Sequence, residues 1–122
     1  MEMNTMDTVS KFENLINILI QQTNSNTIRW NIGIPPKNLS YGTDDFFPLF
    51  LYTEYQSQSL GLYLRRYRYY HDESEYSWCE DTVFCIIKDD YIVYKYEKNS
   101  PALLDLFDKA SQQVSGIDNL FK

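Results

Sequence analysis

Basic residues, cysteine and histidine are all in short supply. Eleven lysines and arginines face seventeen aspartates and glutamates, which leaves a formal charge of -6 over 122 residues. Duplex nucleic-acid binders draw their affinity from phosphate neutralisation by Lys and Arg, so the balance argues against that class. No basic tail hides inside the total, because residues 1–48, 49–98 and 99–122 each carry more carboxylates than cations. The two cysteines, Cys79 and Cys85, have neither the C-x-x-C spacing of redox or zinc sites nor the density of a secreted disulfide scaffold. Reduced thiols in a cytoplasmic protein are the expectation. Apolar runs are short as well. Residues 15–20, broken by Asn17, and residues 83–87 fall well below the roughly twenty residues that span a bilayer. The start, Met1-Glu2-Met3-Asn4-Thr5, has no positively charged leader, so a soluble chain without membrane attachment is expected.

Reaction signatures are missing too. There is no G-x-S-x-G elbow, P-loop, G-x-G-x-x-G or H-E-x-x-H, and the carboxylate pairs Asp44-Asp45 and Asp89-Asp90 sit in turn-like sequence. General acid-base work normally needs one such carboxylate buried with a raised pKa. The expectation is a non-enzymatic protein without metal or cofactor. His71-Asp72-Glu73-Ser74-Glu75 gathers an imidazole and three carboxylates, but without the D-x-D-x-D-G alternation of a calcium loop it reads as a solvated turn. Glu80 and Asp81 beside Cys79 oppose thiolate formation, and Cys85 lies between Phe84 and Ile86 as a small core residue.

Tyrosine is what the chain has in excess. Ten of its eleven tyrosines fall between Tyr52 and Tyr96, in both phases of β-like runs such as Leu62-Tyr63-Leu64-Arg65-Arg66-Tyr67-Arg68-Tyr69-Tyr70. A sheet with one buried face alternates apolar with polar residues, so rings in the second phase suggest a surface made for contact.

Periodicity organises the rest. Val9, Phe12, Ile16 and Leu19 predict an amphipathic helix over residues 7–22, with Asp7 or Thr8 as cap and Ser10-x-x-Glu13 resembling a capping box. Residues 23–27 end it, and residues 28–32 form a short extended piece. Residues 33–45, with Pro35-Pro36, read as the longest and most mobile loop. Strands are expected at residues 46–55, 60–70, 83–88 and 91–96, with residues 71–77 as an acidic turn and Asp89-Asp90 as a tight reversal. Ser100-Pro101 opens a second helix, whose stripe runs Leu103, Phe107, Ala110, Val114, Ile117 and Phe121 unless Gly116 caps it early.

The predicted fold is a single α+β domain over residues 1–122. It has an N-terminal helix, an antiparallel meander of four strands, or five with residues 28–32, and a C-terminal helix. Both helices lie on one face of the sheet, which leaves the other face open.

Arg65-Arg66-x-Arg68, interleaved with Tyr63, Tyr67, Tyr69 and Tyr70, is the pattern most like a binding site, since guanidinium forks grip phosphate and phenol rings stack on bases. In a strand Arg66 and Arg68 share a face about 7 Å apart. The alternative use is cross-strand pairing with Glu80 and Asp81 and a cation-π contact with Trp78.

The chain resembles a loose group of small uncharacterised proteins of Gram-positive bacteria and their phages. The likeness lies in Thr27-Ile28-Arg29-Trp30 after the first helix, the aromatic strand 62–70, and Leu103-Leu104-Asp105-Leu106-Phe107 followed by Val114-Ser115-Gly116-Ile117-Asp118. That resemblance implies a helix-flanked sheet and supplies no reaction or catalytic residue.

These features together point to a small cytosolic protein that occupies a protein partner, as an inhibitor, antitoxin-like or immunity-type protein does. The charge favours a basic partner, and a second copy of the chain is an alternative occupant of the open face. The contact residues expected are Tyr63, Tyr67, Tyr69 and Trp78. In a second scheme the ligand is a nucleotide or phosphate held by Arg66 and Arg68 with a stacking tyrosine.

Overall fold

A computed structural model describes residues 7–121. Helix α1 (Thr8–Asn24) begins where Asp7 accepts a hydrogen bond from the Ser10 amide at 2.8 Å, so the cap falls on one of the two expected residues. The helix closes with the Thr23 hydroxyl donating to the Leu19 carbonyl, while the same oxygen accepts from the indole Nε1 of Trp30 at 3.0 Å. Trp30 is thereby buried beneath the helix end, as a large apolar anchor should be.

Five antiparallel strands follow in sheet order β1-β2-β3-β4-β5. They are β1 (Asn31–Ile32), β2 (Phe50–Tyr55), β3 (Gln58–Tyr70), β4 (Tyr76–Lys88) and β5 (Tyr91–Tyr96), with the short helix α2 (Lys37–Ser40) between β1 and β2. Two-residue turns join β2 to β3 and β4 to β5. Gln56, Ser57, Asp89 and Asp90 all take positive φ, the pairwise left-handed conformation that matches strand twist in a tight hairpin. The fifth strand, left open by the sequence, is β1, and it pairs only Asn31 with Tyr52 and Ile32 with Leu51.

Helix α3 (Pro101–Ser115) starts at the predicted Ser100-Pro101 pair, with the Ser100 hydroxyl accepting from the Leu103 amide at 3.2 Å. It ends at Gly116, whose φ of 68° is left-handed. The longer apolar stripe is therefore cut short: Ile117 and Phe121 fall in a following 3-10 turn (Ile117–Phe121), and Phe121 is exposed.

Helices α1 and α3 pack against each other and over one sheet face. Ile16, Leu19, Leu103, Leu106 and Ala110 meet Leu51, Leu60, Leu62 and Phe84 there. Phe12 stacks on Tyr94 and Tyr96, with ring centroids 5.4 and 4.9 Å away. The expectation that the opposite face stands open needs correction. A second core of Leu39, Phe50, Tyr63, Val83, Cys85 and Ile92, flanked by Phe47 and Ile87, occupies it. The stretch read as a mobile loop supplies Leu39 from α2 and, just beyond it, Phe47, so the chain itself covers the central part of that face. Gly61 permits the packing, since a Cβ there would lie 2.6 Å from Cys85 Sγ and 3.0 Å from Phe50 Cζ.

Candidate functional site

Burial along the long hairpin falls off at one register position. Up to Leu64 opposite Thr82 the strands β3 and β4 are sandwiched between the two cores. Beyond it, six pairs from Arg65 opposite Asp81 to Tyr70 opposite Tyr76 form a two-stranded arm whose residues are half-buried or exposed. Side chains directly opposite share a face. Arg66, Arg68 and Tyr70 therefore lie with Glu80, Trp78 and Tyr76, in the phase that carries Leu60 and Leu62 toward the helices. Arg65, Tyr67 and Tyr69 lie with Asp81, Cys79 and Ser77 in the other.

The first of these faces carries the candidate contact surface. Phe46 joins it, because an isolated bridge pairs Phe46 with Arg66. Its ring centroid is 5.7 Å from that of Trp78, Trp78 is 5.9 Å from Tyr76, and Tyr76 is 5.4 Å from Tyr70. Phe46, Tyr70, Tyr76 and Trp78 keep 58%, 54%, 45% and 45% of their surface exposed. The guanidinium of Arg68 sits within 6.0 Å of Tyr70, Tyr76 and Trp78, and that of Arg66 is 5.6 Å from Trp78. Both cations also face carboxylates at 3.8 Å, Arg66 with Glu80 and Arg68 with Asp44.

On the reverse face Arg65 roots the arm. Its Nε donates to Asp45 at 2.7 Å, its Nη1 reaches Asp81 at 3.4 Å, and its guanidinium lies 4.1 Å from the Tyr67 ring centre. Partial desolvation, and then the Asp81 charge, raise the Tyr67 phenol above its ordinary pKa, so it stays protonated at neutral pH. At the tip, Asp72 Oδ1 accepts from the amides of Ser74 and Glu75, which holds its carboxyl below the usual range. His71 and Ser77 share a hydrogen bond at 2.7 Å across the strand ends.

The sequence-predicted residues thus divide. Arg66, Arg68 and Trp78 converge on one surface. Tyr69 is exposed on the reverse face beside His71, and Tyr67 is half-buried there beneath Arg65. Tyr63 does not belong to any contact surface: it is 1% exposed and stacked 5.6 Å from Phe50 in the second core. Its phase, opposite to that of Leu60 and Leu62, was legible; the sequence leaves open which phase faces the helices, and the cover provided by Phe47 and α2 was not foreseen. Phe46 and Tyr76 were missed. Tyr76-x-Trp78-x-Glu80 has the alternation of a strand face, yet the acidic residues before it made residues 71–77 read as a turn.

Other chemistry finds little support in the geometry. Among the described residues no group of three His, Cys, Asp or Glu side chains could hold a metal ion. Burial pushes the Cys85 thiol up to about 12, in keeping with a core residue. The cleft beside Arg68, about 280 Å³, is lined by Asp44 and Asp45 as well as Tyr70, which is a poor setting for a phosphate. No helix among the described residues is long and apolar enough to cross a membrane. Comparison of the chain with protein-family models, curated proteins and solved structures gives no significant match.

Proposed function

We propose that this chain is a small non-enzymatic cytoplasmic binding protein that occupies a protein partner through the aromatic face of the β3–β4 arm. Inhibitors, antitoxins and immunity-type proteins act in this way, and the likeness to small proteins of Gram-positive bacteria and their phages is part of the same proposal. One observation carries it: Phe46, Tyr70, Tyr76 and Trp78 form a contiguous half-exposed row with Arg66 and Arg68 already laid against it. Tyr, Trp and Arg are the residues that dominate binding energy at protein interfaces, and a row of such rings outside any core marks a contact site. The acidic balance favours a basic partner by raising the encounter rate.

A nucleotide or phosphate ligand is the weaker scheme. It would have to displace Glu80 from Arg66 and Asp44 from Arg68, and meet Asp45 in the same cleft. The test is affinity capture from the native cell with three baits: the parent chain, Trp78→Ala, and Leu104→Ala, which removes an exposed residue on α3. The expected result is a partner held by the parent and by Leu104→Ala but lost from Trp78→Ala. Equal retention by all three baits, or nucleotide binding that disappears in Arg68→Ala, would sink the proposal.

A further inference from the structure

In an antiparallel sheet the N–H and C=O of successive residues point alternately to the two sides of the strand. Phe46 and Arg66 exchange both backbone bonds, at 2.8 and 2.7 Å, and the Leu64 amide donates to the Leu49 carbonyl at 3.1 Å. The even-numbered residues of this part of β3 therefore address the β2 side. The odd-numbered ones address β4, where their opposite numbers are Asp81, Cys79 and Ser77. Thr82, Glu80, Trp78 and Tyr76 consequently direct their peptide groups away from β3. Thr82 confirms the direction independently, because its amide donates outward to Asn99 Oδ1 at 2.9 Å.

Parts of the other edges are closed by the fold. Strand β5 covers β4 from Phe84 to Lys88, and Asn99 closes Thr82. On β5 the amide of Ile92 donates to Asn38 Oδ1 at 3.0 Å, and its carbonyl accepts from Asn38 Nδ2 at 2.9 Å, so one side chain imitates a neighbouring strand. At Tyr76, Trp78 and Glu80 the outward peptide groups meet no partner among the described residues. Neither proline nor bulge protects this stretch, although natural sheets usually shield exposed edges by such means. The residues with open peptide groups also own side chains of the aromatic surface.

We propose that this edge takes a strand from the partner: an extended segment bearing lysine or arginine pairs with β4 at Tyr76, Trp78 and Glu80. The inference rests on the protein-binding function proposed above and adds its geometry. Charge selects the occupant. Residues 65–81 hold three arginines against five carboxylates, and each arginine already faces a carboxylate. A basic segment is therefore attracted, and a cationic side chain on the aromatic face comes beside Glu80. A second copy would bring the same excess of carboxylates and be repelled.

The probe is an end-capped octapeptide alternating lysine with valine, with a glutamate-for-lysine version as control. Amide hydrogen exchange followed by NMR on the parent protein is expected to slow about tenfold at Tyr76, Trp78 and Glu80 with the basic peptide, and not at Ser77, Cys79 or Asp81, the weight of one net hydrogen bond. Glu80→Pro removes an outward N–H that β3 does not use, whereas Glu80→Ala keeps it. Peptide affinity should be about tenfold lower for the proline variant than for the alanine one. If Glu80→Pro does not fold, the exchange pattern of the parent decides alone. Unchanged exchange at the three outward amides, equal protection by the acidic peptide, or protection that grows with protein concentration without peptide overturns the inference. Partner capture lost in Trp78→Ala but intact in Glu80→Pro removes strand addition and keeps the contact surface; capture intact in both removes the surface as well.

Discussion

Replacing Tyr63 by alanine separates core aromatics from exposed aromatics more sharply than any other change in the strand. The ring is 1% exposed, stacks at 19° on Phe50 and meets Phe47 edge-on at 5.8 Å. Its removal leaves a void that neighbours fill poorly, because Phe50 is already wedged over Gly61. Aromatic-to-alanine changes in cores cost about 3–5 kcal/mol, and the restricted collapse here puts the expectation near 4 kcal/mol. With a urea dependence on the order of 2 kcal/mol per molar, the midpoint should fall by about 2 M. Trp78→Ala removes a ring that is 45% exposed, so it should cost only about 1 kcal/mol. Urea titration followed by far-UV circular dichroism reads both variants without depending on the lost indole. A Tyr63→Ala protein within about 1 kcal/mol of the parent, or one more stable than Trp78→Ala, would refute the assignment of Tyr63 to the second core.

Gln113 should be as sensitive as a core residue. Its side chain accepts from the Trp30 amide at 2.7 Å and donates toward Thr23 O, Asn26 Oδ1 and Ile28 O, so Gln113→Ala is expected to lose about 2–3 kcal/mol in the same titration, and Gln113→Glu more, by setting a charge against three oxygens. Alkaline pH should destabilise the fold. Burial raises Cys85 from 9.0 to about 12, and burial followed by the hydrogen bond to Glu13 raises Tyr96 from 10.0 to about 12. Both favour the neutral form in the folded state, so their contribution is full below pH 9 and lost as pH climbs toward 12, which thermal melts across that range will show. Iodoacetamide labelling of native Cys85 at pH 8 as fast as a free peptide cysteine would contradict this. At the arm tip the Asp72 carboxyl titration, read by NMR, should have its midpoint below 3.8, because the Ser74 and Glu75 amides favour the charged form. The turn's order is therefore present above that value and lost as pH falls through the lowered midpoint, and Asp72→Asn should fray it at neutral pH.

What the chain revealed in advance was local in origin. Ser100-Pro101 begins α3 because a hydroxyl cap and a fixed φ act within one turn, and Asp89-Asp90 reverses the chain because aspartate tolerates left-handed backbone. Burial of the tyrosines was not local. Tyr63 and Tyr69 share a phase of β3, yet one is enclosed and the other is open, and the difference is set by Phe47 and Leu39 arriving from outside the strand. The same holds for Gln113: its sequence neighbours suggest an exposed helix position, and only the fold brings the α1–β1 connection to it. The start of β4 at Tyr76 was hidden by the preceding acidic residues, since pairing with Tyr70 decides it rather than composition.

A two-stranded arm outside both cores needs another source of order, since an isolated hairpin is marginal in water. Here it has two. The arm is continuous with strands that the cores hold, so its register is fixed before it leaves them. Its root is then tied on the reverse face, where Arg65 joins Asp45 to Asp81, and Asn99 links Asp81 to the Thr82 amide just ahead of α3. These bonds lie on the side away from Phe46, Tyr76 and Trp78, and none uses an outward peptide group of Tyr76, Trp78 or Glu80. The aromatic row and the open edge are thereby held in place without being consumed. Surfaces ordered in advance lose less side-chain and backbone freedom on association, and that saving raises affinity without adding contacts. An arm stiffened from behind, with its rings stacked and its peptide edge free, would on the proposed function meet a partner at a reduced ordering cost.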